Sequence, residues 1–240
     1  MKRKLLGCVL ILSFLFSAVS FVEADTQSTG GTQETAERMA VALELMEPDA
    51  DGAFHAERVM TRSEGARVFG RILFGNAVPE AERVFQDVDA ESRIADALCA
   101  AGVLSPSELF RPNAELSFEQ GLAMLLRTMG YEPLAERNGV FPHGYFKIAS
   151  SKRMLNGQPD NFIDSAMTKG RMAMLLYRSL EQAWLVPKSY GDKTYHEDEN
   201  KTILSELDVT IVEGKITANS FSGIGGAAKA APGYVTILSA

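Results

Sequence analysis

The sequence predicts an all-α protein with a small C-terminal β segment, on three grounds. One helix-start pattern occurs three times, the helices around its copies are joined by short turns, and the composition becomes strand-like only after Trp184. The pattern is clearest at Met60-Thr61-Arg62-Ser63-Glu64. A Thr with a Glu three residues on is a capping box: the hydroxyl accepts a first-turn N–H and the carboxylate reaches back to the Thr N–H. Such a cap stabilises a helix by about 1 kcal/mol.

Ser117 lies 56 residues after Thr61, and Thr168 lies 51 after Ser117. In that register the residue before the cap reads Met60, Leu116, Met167. Five on come Ala66, Leu122, Ala173; eight on, Phe69, Leu125, Leu176; twelve on, Leu73, Met129, Leu180. These columns make one apolar helical face. Arg71, Arg127 and Arg178 lie off it, where exposed arginines with stems over apolar surface account for them. Three imperfect copies of one unit that cannot bury its face alone is the economical reading.

Taken in order, residues 1–24 read as a secretion signal: Lys2-Arg3-Lys4, an apolar run from Leu5 to Phe21, then Val22-Glu23-Ala24 before the cleavage point. A membrane anchor is disfavoured because the run is short for spanning. Residues 25–35, rich in Thr, Gln, Ser and Gly, read as a flexible spacer. The triple repeat occupies 36–184, divided near 36–78, 85–131 and 139–184. Its first helices are expected at Glu37–Met46, at Ile94–Ala101 and up to Leu155, closed by the turn Glu47–Gly52, by Gly102 and by Asn156-Gly157. Residues 185–202 read as a polar linker. Residues 203–240 form a β-rich tail, with strands expected at Leu207–Val212, Lys215–Ala218 and Tyr234–Leu238. That tail is either an add-on packed against the helices or the start of a domain the chain does not complete.

The formal net charge is −7, and removing residues 1–24, which hold three basic residues and one acidic, leaves −9. Nucleic acid is therefore excluded as a partner, since phosphate binding needs a basic footprint. Cys99 is the only cysteine after the signal segment, so no intrachain disulfide is expected.

Thr61-Arg62-Ser63-Glu64, with Phe85-Gln86-Asp87-Val88 and Phe110-Arg111-Pro112-Asn113, resembles the S-layer homology repeat of bacterial surface proteins. Gly130-Tyr131-Glu132, Gly144-Tyr145-Phe146-Lys147-Ile148-Ala149 and Val212 to Asn219 look like the divergent triple arrangement of clostridial secreted proteins. The resemblance implies three helix-loop-helix repeats in a pseudo-threefold prism. It also implies a non-catalytic role: anchoring at the cell wall or surface of a Gram-positive-type bacterium by holding secondary cell-wall polysaccharide, commonly a pyruvylated sugar, in grooves between repeats. A ketal carboxylate suits a guanidinium, which meets it with two parallel hydrogen bonds.

Carried over residue by residue, the motif arginine is Arg62 in the first unit, Phe118 in the second and Lys169 in the third. The opening Phe-x-Asp is intact only as Phe85 and Asp87. Arg62, Asp87 and Lys169 are therefore the ligand candidates; Thr61, Glu64, Phe85, Ser117 and Thr168 are structural motif positions. Asp87 also reads as a helix cap or turn residue. Phe85, Phe110 and Tyr145 read as core rings rather than sugar platforms.

Other constellations fall short. Glu47, Asp49, Asp51 and Gly52 mimic a calcium loop, but its twelfth position is Arg58 where a bidentate carboxylate is required. His196 to Glu199 is a solvated charge run, and Gly223 to Lys229 lacks the ending of a phosphate loop. His55, His143 and His196 sit in no nucleophile motif. No metal, cofactor or enzymatic activity is expected. The alternative to wall binding is a structural or protein-interaction module whose repeats have lost the glycan, with a protein partner through the prism or the C-terminal tail.

Overall fold

The computed structural model describes residues 29–89, 93–158, 163–189, 194–210, 214–218 and 236–239. The expected signal segment 1–24, residues 25–28 and the glycine-rich stretch 223–229 lie outside them. Residues 26–207 form one compact unit, and the residues from 208 onward belong to a second.

The first unit is mostly helical. Its elements are α1 (Thr29–Ala42), α2 (Arg62–Phe74), α3 (Ile94–Ala100), α4 (Phe118–Thr128), α5 (Glu132–Asn138), α6 (His143–Ser151), α7 (Lys169–Ser179), β1 (Trp184–Pro187), β2 (Tyr195–Asp198) and the turn-long α8 (Ile203–Glu206). Thr61, Ser117 and Thr168 are the N-caps of α2, α4 and α7. The boxes are complete at Thr61/Glu64 and Ser117/Gln120; at Thr168 the third helical residue is Arg171, which has no carboxylate to reach back.

The residues before the three caps are tied to one another. Met60 N–H donates to the Met167 carbonyl at 2.9 Å, Leu116 N–H to Met60 at 2.8 Å, and Met167 N–H to Leu116 at 2.8 Å. These three main-chain bonds close a ring. At the first residue of each helix the sense reverses: Arg62 N–H donates to the Ala114 carbonyl, Phe118 to Ser165, and Lys169 to Arg58. Each capped helix therefore begins against the loop preceding another. The earlier helices follow this second order, with α3 packed on α2, α6 on α4 and α1 on α7.

The apolar columns form the core. Ala66, Phe69, Leu122, Leu125, Ala173 and Leu176 are at most 1% exposed, and full burial of a large apolar side chain contributes about 1.5–3 kcal/mol. Leu73 is only half-buried, and its neighbour Ile72 fills the core instead. The arginine column is more engaged than exposed stems require. Arg71 pairs with Glu44, Arg127 pairs with Glu132 and donates to the Val103 carbonyl, and Arg178 donates to the Asn156 carbonyl.

The earlier helices end alike, on a left-handed residue: Glu44 (φ 55°), Gly102 (φ 78°) and Arg153 (φ 58°). In each case the next N–H folds back, Leu45 to Ala40, Val103 to Leu98 and Met154 to Ala149. Two of these stops precede the turns expected from sequence, because Glu44 and Arg153 take a conformation that composition assigns to Gly or Asn.

Four expectations need correction. The spacer is helical from Thr29: Ala36 and Ala40 are buried, α1 packs on α7, and Gln33 donates to Glu37, so tertiary contact overrides the poor propensity of Gly30 and Gly31. α5 is an extra helix, with Pro133 in its first turn and Ala135 buried. The linker 185–202 is an antiparallel hairpin, β1 on β2, pairing Leu185 with Glu197 and Val186 with His196. It docks through Leu185 N–H to the Met129 carbonyl and Tyr131 Oη to the Ala183 carbonyl. Gly130 admits it: with φ 79°, its hydrogen stands where a Cβ would lie 2.2 Å from the Leu185 carbonyl oxygen. Finally, 203–206 is a helical turn capped by Thr202, and residues 207–210 are not strand.

In the second unit, β3 (Gly214–Ala218) pairs antiparallel with β4 (Thr236–Ser239), Lys215 opposite Leu238 and Ile216 opposite Ile237. These match two of the strands expected in the tail.

Candidate functional site

The ring of helix starts creates three junctions, each joining the first residue of a capped helix to a loop. Among the described residues, one of them presents a guanidinium with free amino groups beside a groove. Arg62, first residue of α2, meets the loop 110–114. Its Nε donates to the Phe110 carbonyl at 2.7 Å, and its guanidinium carbon lies 5.1 Å from the Phe110 ring centre. Its terminal amino groups make no hydrogen bond among the described residues. Burial, with Arg111 adding repulsion, pulls the Arg62 pKa below its ordinary value while Asp87 opposes; a guanidinium nevertheless stays charged.

The groove beside it is about 540 Å³ and is lined in part by Arg62, Glu108, Phe110, Arg111, Glu115 and Gln120. Its wall is held from behind. Asp87 accepts from the N–H groups of Phe110 and Arg111, at 2.7 Å each. Desolvation pushes the Asp87 carboxyl up, but those two donors prevail and hold it below the usual range. Both its oxygens are committed to the main chain, so Asp87 positions the Phe110 carbonyl on which Arg62 rests. Phe85 is 1% exposed and its ring lies 5.4 Å from that of Phe110, a core contact as expected. Behind Phe85, buried Asp96 accepts from the N–H groups of Val84 (2.9 Å) and Phe85 (3.1 Å) and from Arg93.

At the second junction Phe118 is fully buried, its ring stacked 6.2 Å from Phe146. A guanidinium is present there, but Arg171 spends it on Ser165 and the Ala166 carbonyl. Glu119 holds the facing loop through Asp164 N–H at 2.6 Å.

The third junction places Lys169 elsewhere than at an open anion site. It is 2% exposed; Nζ donates to the Glu47 carbonyl (2.9 Å) and Asp49 (3.0 Å) and lies 4.7 Å from the Phe54 ring centre. The cation is neutralised inside the protein. Asp49 is held low by Arg58 first and Lys169 second, and Arg58 in turn is raised chiefly by Glu64. The false calcium loop is thus part of an ion-pair network running into the Thr61 cap. Among the described residues, no group of three or more His, Cys, Asp or Glu side chains could hold a metal ion.

Sequence reasoning singled out Arg62 and Asp87, which the fold brings together across Phe110, and Lys169, which it sets apart. It passed over Arg111, Glu108 and Glu115, loop residues without a periodic signal. Phe110-Arg111-Pro112 marked the segment but not the chemistry.

Fold and groove define a mostly helical protein with small antiparallel strand pairs and a groove lined by Arg62 and Arg111, and none of its described helices is long and apolar enough to cross a membrane. No family model matches the chain. The chain is similar to a "Middle cell wall protein" of Brevibacillus brevis, 24% identical over 190 residues. The match covers 75% of this chain and 17% of that protein, so the chain spans well under a fifth of its relative's length.

Proposed function

We propose that this is a non-catalytic, secreted wall-anchoring module of the S-layer homology type, with three repeats in a pseudo-threefold prism, and that it holds an acidic, pyruvylated wall polysaccharide at Arg62. The observation that carries the reading is Arg62 itself: its guanidinium is fixed by one hydrogen bond and one ring, with two amino groups left for a carboxylate beside a sugar-sized groove. The cyclic bonding of Met60, Leu116 and Met167 supports the prism. Similarity to a cell wall protein supports the location. Hydrogen bonds to charged groups are worth about 1.5–3 kcal/mol net, so a single arginine can dominate a weak sugar site.

The test is retention on purified sacculi, native and stripped of secondary polymer, by wild type and Arg62→Ala. Retention on native sacculi alone, lost in the variant, is the expected result. Equal retention on both sacculi, or none on either, refutes it. A second reading, a structural or protein-interaction module, is favoured by the closure of two junctions at Phe118 and Lys169. It requires Arg62→Ala to leave wall retention unchanged.

A further inference from the structure

We propose that Arg111 is a second contact for the ligand carboxylate at the Arg62 groove, and that the groove selects a singly charged acidic sugar over a polyphosphate chain. This rests on the wall-sugar reading above and goes beyond it in naming the contact and the charge.

Arg111 lines the same groove as Arg62. Its main chain is pinned by the Asp87 carboxylate and held at φ 57°, a left-handed conformation that costs energy for a residue with a Cβ. The corresponding residue at the third junction is His55. The pairing is fixed by main-chain bonds, since Ser63 N–H donates to the Pro112 carbonyl as Gly170 N–H does to Ala56. His55 is also left-handed, at φ 50°, but its ring is taken by Asp51 at 2.6 Å. The exposed guanidinium of Arg111 makes no hydrogen bond or ion pair among the described residues. Two guanidiniums thus share one groove, one fixed and one free to close on a ligand.

The surrounding charge limits the anion. Asp87, behind the wall, offsets one of the two cations. Glu108 and Glu115 also line the groove and would repel a second ligand charge, while their oxygens suit sugar hydroxyls. Gln120 joins them with an Nε2 that makes no hydrogen bond among the described residues.

The experiment is a calorimetric titration of the full chain with three probes: a methyl hexoside bearing a pyruvate ketal, its carboxylate methyl ester, and inorganic polyphosphate. Wild type is expected to bind the acid at least roughly tenfold more tightly than the ester. Arg111→Ala should weaken the acid by roughly three- to tenfold, leave the ester unchanged and so shrink the discrimination, while Arg111→Lys should recover part of it. Polyphosphate should not displace the acid. If Arg111→Ala binds the acid like wild type while Arg62→Ala is weakened, the role of Arg111 is refuted and the wall-sugar reading stands. If Arg62→Ala is also unchanged, that reading fails as well. Displacement by polyphosphate overturns the charge selectivity.

Discussion

Replacing Asp96 by Ala removes the group that shapes the back of the groove. The carboxylate is 1% exposed and serves three donors: the N–H groups of Val84 and Phe85 and the Nε of Arg93. An unsatisfied buried N–H costs about 1–3 kcal/mol; Phe85 is buried and sits near the upper end, while Val84 is half-buried and sits near the lower. The Arg93 side chain is 37% exposed, so its ion pair adds only about 0.2–1 kcal/mol. The expected loss is about 4–5 kcal/mol, or roughly 8–20 °C in melting temperature for a chain of this size. Asp96→Asn keeps the Oδ1 acceptor that serves both amides and gives up only the Arg93 pair, so it should lose well under half as much.

The sign with pH follows from the carboxyl. Desolvation pushes it up, but Val84, Phe85 and Arg93 together hold it below its ordinary value in the fold. Its contribution is therefore complete above the unfolded value near 3.9 and disappears as pH falls through the lower folded value. Urea unfolding followed by circular dichroism at pH 7 and pH 3 checks both statements. A loss under about 1 kcal/mol at pH 7 would refute the accounting, as would a gap between wild type and variant that widens on acidification.

Three further outcomes are expected. Gly130→Ala should cost at least about 2 kcal/mol, from the left-handed backbone and the Leu185 carbonyl its methyl would strike, and should shift Trp184 fluorescence as the hairpin lifts. Lys169→Ala should destabilise by about 2–4 kcal/mol through the cavity and the bonds lost at Glu47 and Asp49, yet leave acidic-sugar affinity unchanged when measured below the melt. Asp87→Asn should barely alter the melting temperature but weaken the acid severalfold, by freeing one of the two N–H groups behind the groove; two-dimensional NMR of the Phe110 and Arg111 amides, with the same titration, checks it.

The capped helices were legible because their signals are local. Thr61 with Glu64, and Ser117 with Gln120, fix a helix start within four residues whatever lies elsewhere, and the apolar columns after them have no competing period. What escaped depends on distant partners. Lys169 looks like any first-turn cation until Glu47 and Asp49 arrive from more than a hundred residues away. The 185–202 hairpin reads as a linker because Tyr195 to Asp198 are mostly polar, and strand order there comes from main-chain bonds to Met129 and Lys201. The start of α1 at Thr29 is set by packing on α7, to which Gly30 and Gly31 give no clue. Of the site, Arg62 was marked by its cap, whereas Arg111 gains significance only from the Asp87 clamp and the groove.

The hydrogen-bond ring through Met60, Leu116 and Met167 has a numerical consequence. A linear stack of helical units can grow or shrink at either end, but here each of the three amides is already matched with one of the three carbonyls. Excising one member would strand an amide and a carbonyl in the interior; inserting a fourth would require the loop to open. Because the bonds are made by backbone, side chains around the circle can diverge without disturbing the count, which allows one junction to keep an open guanidinium while the other two are sealed.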